Sequence, residues 1–218
     1  PLTIRGISML TLIVKFDVEP EQLATFKQAL ADNKLGSAAE PEMLEMRFFA
    51  AKDSPTTIFA YERWASAEAH QAHVNQPYAQ ALLKLADTAL ASPFEVMPLN
   101  DTDPAPLHEA NPRHVQPEDE VFSIFFIFKI KEEYRARLLQ QFTTHVAKTR
   151  SEEPGNLVFD LYTIDGQDDT LVIYEHWRTE SDLWDIHFQQ PYAIETGKLL
   201  EQAMVGDMQQ YLNIVSEF

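Results

Sequence analysis

The sequence predicts an α+β protein built from two copies of one module, and two observations support that prediction. When the chain is slid against itself by 113 residues, the segment 61–64 (Tyr-Glu-Arg-Trp) meets 174–177 (Tyr-Glu-His-Trp). Across 40–64 and 153–177, seven of 25 positions are identical, where chance gives roughly one or two. With one residue inserted, 73–78 and 187–192 also match, each from a His to a Pro-Tyr. Self-similarity of this kind indicates a duplicated structural unit.

Each copy repeats the element order β-α-β-β-α-β. A β-rich apolar run opens it, and apolar residues at three- and four-residue spacing then indicate a helix. Glu-Pro then ends the helix, because proline fixes φ and lacks a backbone donor. Two strands follow, and the second ends in Tyr-Glu-x-Trp. A short helix runs to a proline, another helix follows, and a last strand closes the copy. The predicted bounds are Met9–Val18, Glu21–Lys34, Met43–Ala50, a strand to Trp64, Ala67–Asn75, a helix from Tyr78 and Phe94–Leu99, and in the second copy Val121–Ile130, Glu132–Arg150, Leu157–Ile164, a strand to Trp177, Glu180–Gln189, a helix from Tyr192 and Met208–Val215.

This element order is typical of the ferredoxin-like split βαβ arrangement, a four-stranded antiparallel sheet with both helices on one face. The run 123–128 (Ser-Ile-Phe-Phe-Ile-Phe) shows no polar alternation, so both faces of its sheet should be buried. Two copies in one chain can supply the missing cover. We therefore predict two ferredoxin-like modules packed sheet to sheet, as an intrachain pseudo-dimeric α/β barrel, with a further homodimer left open.

A proline-rich acidic segment separates the copies. Prolines at 98, 104, 106, 112 and 117 stand among Asn, Asp and Glu, and such a segment resists both helix and central strand. We predict a first domain at 1–99, a linker at 100–118 and a second domain at 119–218.

Composition excludes several classes of function. With 34 acidic against 17 basic residues and a net charge of −17, the chain is not expected to bind nucleic acid or anionic membrane. There is no cysteine, so disulfides, thiolate metal sites and cysteine nucleophiles are excluded. The six glycines are never closer than nine residues, which excludes the clustered glycines of nucleotide-binding loops. No run approaches the roughly 20 apolar residues of a membrane span. The expected location is cytoplasmic, with a removed leader peptide left open.

The repeated motifs resemble the antibiotic biosynthesis monooxygenase domain. They are Glu153-Pro154-Gly155, the strand Leu171–Trp177, and His187 three residues before Gln190-Pro191, with a less complete set at Glu40-Pro41, Tyr61–Trp64 and His73. The resemblance implies a dimeric α/β-barrel fold. It also implies relatives that include cofactor-independent oxygenases of anthrones and quinols, haem-degrading enzymes and isomerases. Haem is disfavoured, because the haem-degrading members carry a tryptophan about where His73 and His187 stand.

Candidate site residues fall at the repeated motifs. His73 and His187 are predicted as catalytic bases, because histidine titrates near neutral pH; helix-borne packing is the alternative. Glu62 and Glu175 share the apolar strand face and are costly to bury unpaired, so each either has a structural partner or holds a catalytic histidine. The predicted substrate-binding residues are Trp64, Trp177, Tyr61, Tyr174 and Phe188, with core packing as the alternative for the tryptophans. His70 and His73 stand at metal-ligand spacing, but no carboxylate cluster completes a site, and no metal is predicted.

We therefore predict a cofactor-independent monooxygenase of small quinol- or anthrone-like aromatics, with molecular oxygen as co-substrate and a histidine base in an apolar pocket. The second copy is favoured, because it has His145, His176 and Trp184 where a direct alignment gives Asp32, Arg63 and His70 or Gln71. The alternatives are an isomerase or detoxifying enzyme of a small carbonyl compound, and a non-catalytic ligand-binding barrel of stress response.

Overall fold

A computed structural model describes residues 9–106 and 113–218. The chain divides into two compact units. One comprises the described residues up to Leu99 together with Ser216–Phe218, and the other runs from Asn100 to Val215. We call them the first and second module.

The first module has the predicted order of elements. Its antiparallel strands are β1 (Leu10–Asp17), β2 (Met43–Ala51), β3 (Thr57–Trp64) and β4 (Glu95–Asp101). They are arranged β4-β1-β3-β2, with β1 paired to both β3 and β4. Phe26 and Leu30 of the long helix and Ala86 and Ala89 of a later one pack on the sheet face that carries Trp64. The elements are β1 (Leu10–Asp17), a 3₁₀ turn (Pro20–Gln22), α1 (Leu23–Ser37), β2 (Met43–Ala51), β3 (Thr57–Trp64), α2 (Ala67–Val74), α3 (Pro77–Ala89) and β4 (Glu95–Asp101).

The second module repeats this arrangement with β5 (Phe122–Lys129), β6 (Asn156–Ile164), β7 (Gln167–Trp177) and β8 (Leu212–Glu217). Their order in the sheet is β8-β5-β7-β6. Asp165-Gly166 forms the two-residue turn between β6 and β7, and Gly166 has φ +76°, a conformation that favours glycine in such hairpins. The predicted α+β class with two ferredoxin-like modules is confirmed. The elements are β5 (Phe122–Lys129), a 3₁₀ turn (Glu132–Tyr134), α4 (Arg135–Glu152), β6 (Asn156–Ile164), β7 (Gln167–Trp177), a π-helix (Asp182–Ile186), 3₁₀ turns (His187–Gln189 and Met208–Gln210), α5 (Pro191–Ala203) and β8 (Leu212–Glu217).

Two predicted elements of the second module differ in detail. The short helix predicted over Glu180–Gln189 is a π-helix followed by a 3₁₀ turn. This is where the second copy holds one residue more than the first, and a π-helix accommodates an extra residue by widening the helical turn. The last strand begins at Leu212 and not at Met208, because Asp207 forms a capping box with Gln210 over a 3₁₀ turn.

The described part of the predicted linker belongs to the second module. Residues 107–112 of the predicted linker lie outside the described residues, and β4 extends to Asp101. Arg113 donates from Nη1 to the carbonyls of Glu153 and Asn156, each at 2.6 Å, and from Nη2 to the carbonyl of Arg150. Carbonyls at a helix C-terminus lack partners within the helix. Arg113 supplies such partners at the end of α4, and so holds the backbone at Glu153.

Candidate functional site

Each module contains a cavity between its helices and its sheet. The second-module cavity measures about 190 Å³ and is lined mainly by apolar side chains, with His145, Glu175, His187 and Thr196 as its polar exceptions. The first-module cavity measures about 280 Å³, and its polar lining consists of Asn33, Glu62, His70 and His73. Apolar cavities with a few convergent polar groups are typical of small-molecule sites.

His187 is held at the second-module cavity by a buried carboxylate. Its Nδ1 lies 2.8 Å from Oε2 of Glu153, which also accepts a 2.5 Å hydrogen bond from the Tyr192 hydroxyl. Glu153 directly follows α4, and Tyr192 is the second residue of α5. Both His187 and Glu153 are buried. A carboxylate at Nδ1 orients an imidazole and stabilises its protonated form.

The other nitrogen of His187 faces a second histidine. His187 Nε2 lies 3.0 Å from Nε2 of His145, and His145 Nδ1 lies 2.7 Å from Oγ1 of Thr196. Burial, together with the neighbouring His187, lowers the pKa of His145 from 6.5 to about 3. His145 is therefore neutral at working pH, with one nitrogen as donor and the other as acceptor.

Glu175 stands on the cavity wall, and its partner among the described residues is a tryptophan. The Trp177 indole, two residues along β7, donates to its Oε1 at 2.9 Å. Burial raises the pKa of Glu175 above its ordinary value of 4.5, and the nearby His187 and the indole hydrogen bond partly offset this. In the first module Trp64 donates to Glu62 at 3.1 Å, and burial likewise raises the pKa of Glu62.

The Glu175→Gln variant should raise stability at neutral pH and above. A raised pKa means that the folded state binds the Glu175 proton more tightly than the unfolded state. The stability that this proton contributes to the folded protein is therefore complete below pH 4.5 and is lost as the pH rises through the folded pKa. Glutamine cannot ionise and keeps an oxygen for the indole. Thermal unfolding between pH 4 and 8 should show the variant's Tm exceeding that of the wild type at the upper end and converging at the lower. A variant less stable than the wild type at pH 8 would contradict this.

The first-module site repeats the contacts of the histidine and the tyrosine with a glutamate, but it has no histidine in the place of His145. His73 Nδ1 lies 2.7 Å from Oε2 of Glu40, and the Tyr78 hydroxyl donates to the same oxygen at 2.8 Å. Burial and the bond to Glu40 raise the pKa of Tyr78 to about 12. The residue in the place of His145, however, is Asn33.

The direct alignment of His145 with Asp32 is wrong. Ser37 donates to the carbonyl of Asn33 just as Thr149 donates to that of His145. The two residues of each pair are four positions apart, and the side chains of Asn33 and His145 line their cavities. Asn33 is therefore the structural equivalent of His145. The second copy has one more residue between this pair and its Glu-Pro, which displaces the helices from the 113-residue register.

Comparison with known proteins agrees with the duplicated fold. The family model described as antibiotic biosynthesis monooxygenase matches twice, over residues 9–85 and 122–198. The chain belongs to the antibiotic biosynthesis monooxygenase family. A comparison with curated proteins found no match.

Solved structures share the fold of these two antibiotic biosynthesis monooxygenase modules at low sequence identity. A proposed monooxygenase from Fusobacterium nucleatum is similar with TM-score 0.78 and 12% identity, over 98% of this chain and 94% of that one. A proposed monooxygenase from Lactobacillus acidophilus has TM-score 0.72 and 12% identity, over 96% and 94%. An anthrone oxidase-like protein has TM-score 0.64 and 15% identity, over 96% and 91%.

The structure brings together most of the predicted site residues of each monooxygenase module. His187, Glu175 and Phe188 line the second-module cavity, and His73 and Glu62 line the first. The tryptophans lie behind the histidines, with Trp177 4.7 Å from His187 and Trp64 4.5 Å from His73 between ring centroids. Their predicted roles in catalysis and substrate binding stay predictions.

The two tyrosines of the Tyr-Glu-x-Trp motif do not join the cavities. Tyr61 and Tyr174 alternate with the glutamates along their strands and so point to the opposite sheet face. Tyr174 packs against Phe125 and His176 there, with ring centroids 5.2 and 4.6 Å away. The cavity therefore opens on the face that carries Glu and Trp, a choice that the sequence left open. Contact of these tyrosines with a substrate stays a prediction.

Sequence reasoning assigned no role to the carboxylate that holds each histidine. In the sequence, Glu40 and Glu153 stand out only as parts of the repeated Glu-Pro, and Tyr78 and Tyr192 as parts of the repeated Pro-Tyr. Their repetition in both copies was the available signal. Among residues 9–106 and 113–218, no group of three or more His, Cys, Asp or Glu side chains is arranged to hold a metal, and no helix is long and apolar enough to cross a membrane.

Proposed function

We propose that the protein is a monooxygenase of small quinol- or anthrone-like aromatics that works without a dedicated cofactor, with His187 of the second module as its base. The observation that carries this proposal is the Glu153–His187 pair at the wall of an apolar cavity. Phe126, Phe142, Phe159 and Phe188 supply aromatic walls for a flat ring. Membership of the monooxygenase family supports the reaction class.

The base makes the substrate reactive toward oxygen. Removal of a phenolic proton from a quinol, or of a methylene proton from anthrone, gives an electron-rich anion, which passes an electron to O₂ and then forms a carbon–oxygen bond with the reduced oxygen. Loss of water from the resulting hydroperoxide leaves a carbonyl. For a quinol the balance is 1,4-dihydroxynaphthalene + O₂ → 2-hydroxy-1,4-naphthoquinone + H₂O, and for anthrone it is anthrone + O₂ → anthraquinone + H₂O. The substrate supplies all four electrons, so no external reductant enters.

The second module is the better candidate for this chemistry. Both sites pair a histidine with a glutamate, but only in the second does a second imidazole, His145, contact the base at hydrogen-bonding distance. The first-module site has Asn33 there, and the Asn33 amide donates to the sulfur of Met46, at 3.7 Å. The two cavities therefore differ in their capacity to move a proton.

Oxygen uptake tests the proposal. With 1,4-dihydroxynaphthalene, the wild type should consume O₂ above the enzyme-free rate and incorporate one labelled atom from ¹⁸O₂ into the product. His187→Ala should lower kcat about 100-fold or more, while the matched His73→Ala should leave it within about twofold.

Three outcomes contradict the proposal in different ways. If His187→Ala keeps full turnover and His73→Ala abolishes it, the assignment to the second module fails. Turnover of a carbonyl substrate without oxygen uptake favours the isomerase or detoxifying alternative. Ligand-induced thermal stabilisation with no turnover of any aromatic favours a binding protein.

A further inference from the structure

Both ring nitrogens of His187 are already engaged in hydrogen bonds. Nδ1 faces Glu153 at 2.8 Å and Nε2 faces His145 at 3.0 Å. The in-plane lone pair of an imidazole nitrogen accepts one proton, so a substrate hydroxyl cannot reach Nε2 while the pair is intact. The substrate's proton must therefore reach His187 through another group.

We propose that Thr196 and His145 form a relay that carries the substrate's phenolic proton from the second-module cavity to His187. The proposal rests on the proposed function and deepens it, because it assigns Thr196 as the group that contacts the phenol and His145 as a positioning residue behind it. Thr196, His145 and His187 all line the cavity. The contacts between them are continuous, at 2.7 Å from Oγ1 to Nδ1 and 3.0 Å from Nε2 to Nε2.

The proton count balances along this chain. Before transfer, Thr196 donates to His145 Nδ1, and His145 Nε2–H donates to His187 Nε2. The phenol then gives its proton to Oγ1 as Thr196 gives its own to Nδ1, and the proton on His145 Nε2 passes to His187. One O–H bond of the substrate breaks, one N–H bond forms on His187, and the phenolate stays in the cavity.

Neighbouring groups satisfy both states of the threonine hydroxyl. When Thr196 donates to His145, its oxygen can accept from Nε2 of Gln141 at 3.2 Å. After transfer, His145 Nδ1–H donates to that oxygen, and Thr196 turns to the carbonyl of Tyr192 at 2.9 Å. A side chain with alternative partners can exchange protons without leaving a buried group unpaired.

The charged groups around the two histidines favour His187 as the final acceptor of the relayed proton. The titratable groups that face this pair are Glu153 at Nδ1 of His187, Tyr192 bonded to that carboxylate, and Glu175 on the sheet. Of these three groups, Glu153 is the one that contacts an imidazole nitrogen, and it contacts His187. The low pKa of His145, about 3, is consistent with a residue that passes a proton and does not keep it.

The first module provides a natural comparison that lacks the relay. Asn33 stands in the place of His145, and Leu82, five residues after Pro77 in α3, stands in the place of Thr196, five residues after Pro191 in α5. Both line the first-module cavity. His73 and Glu40 are kept there, so the modules differ at the two relay positions while the base and its carboxylate are common to both.

Variants of the full chain at the two relay positions test the relay. His145→Asn and Thr196→Val should each lower kcat for 1,4-dihydroxynaphthalene about 10- to 100-fold at pH 7. The loss should shrink as the pH rises toward the quinol's own pKa, because an ionised substrate needs no relay. Thr196→Ser should recover most of the rate that Thr196→Val loses, and the matched Leu82→Val should stay within about twofold of the wild type. A pH-independent loss, or no rescue by serine, would indicate a packing role and overturn the relay.

A binding measurement separates failure of the relay from failure of the proposed function. 2-Naphthol changes its absorbance on ionisation, so its protonation state can be read when it is bound to the protein at pH 7. The wild type should hold an about tenfold larger ionised fraction than His145→Asn or Thr196→Val. Equal fractions in all three proteins would overturn the relay, even if the wild type consumes oxygen. A difference would support it, even if no oxygen uptake were found and the proposed function had failed.

Discussion

Replacing Glu153 with glutamine is expected to lower kcat by about 10³-fold, because it removes the charge that stabilises protonated His187. The carboxylate lies 2.8 Å from His187 Nδ1 and accepts from Tyr192 through the same oxygen. A glutamine amide can turn its NH₂ group toward Nδ1, which forces a proton onto Nε2 and leaves the imidazole unable to act as a base. Oxygen uptake with 1,4-dihydroxynaphthalene measures the effect.

The first module supplies the control for this variant. Glu40 makes the same two contacts, with His73 at 2.7 Å and Tyr78 at 2.8 Å, so Glu40→Gln should perturb packing to a similar degree. Its kcat should remain within about twofold of the wild type if only the second module works. An equal loss in both variants would mean that both sites turn over, and an unchanged kcat for Glu153→Gln would remove the carboxylate from the mechanism.

Much of the fold could be predicted from the sequence because the chain contains its own comparison. The apolar spacing in one copy alone leaves the assignment of helices and strands ambiguous. The second copy repeats that spacing around its own Glu-Pro and Tyr-Glu-x-Trp, and this repetition supports one order of elements for both copies. The π-helix at Asp182–Ile186 could not be predicted in this way, since a widened turn leaves the apolar spacing of a short helix almost unchanged. The extra residue between Trp177 and His187 was its only sequence signal.

The candidate site could be predicted in part. Period-two alternation placed Glu175 and Trp177 on one face of β7, and the repeat singled out His187. The two partners of His187 come from the end and the body of α4, and the tyrosine that bonds Glu153 comes from α5. Their convergence is set by how the helices pack over the sheet, which no local pattern encodes. The alignment at 113 residues also does not pair Asn33 with His145, because the two long helices are offset by 112 residues.

Removal of the Trp177 side chain should produce the largest loss of stability, about 3–5 kcal/mol in the free energy of unfolding for Trp177→Ala. The side chain is fully buried, packs 4.7 Å from His187 and donates to Glu175 at 2.9 Å. Its loss leaves a cavity behind the base and deprives a buried carboxyl of that donor. Denaturant unfolding measures the change.

Phenylalanine separates the two contributions of this tryptophan. Trp177→Phe keeps most of the ring volume but removes the N–H donor together with part of the bicyclic ring, so it should cost about 1–3 kcal/mol. Because the lost donor stabilised the charged form of Glu175, the pKa of Glu175 should rise further, and the cost should shrink on acidification as that carboxyl takes up its proton. Trp64, equally buried and bonded to Glu62 at 3.1 Å, should show the same stability pattern in the first module. Oxygen uptake distinguishes the modules, since only the Trp177 variants alter the wall behind the proposed base. An activity loss in Trp64→Phe equal to that in Trp177→Phe would mean that the two sites do not work independently.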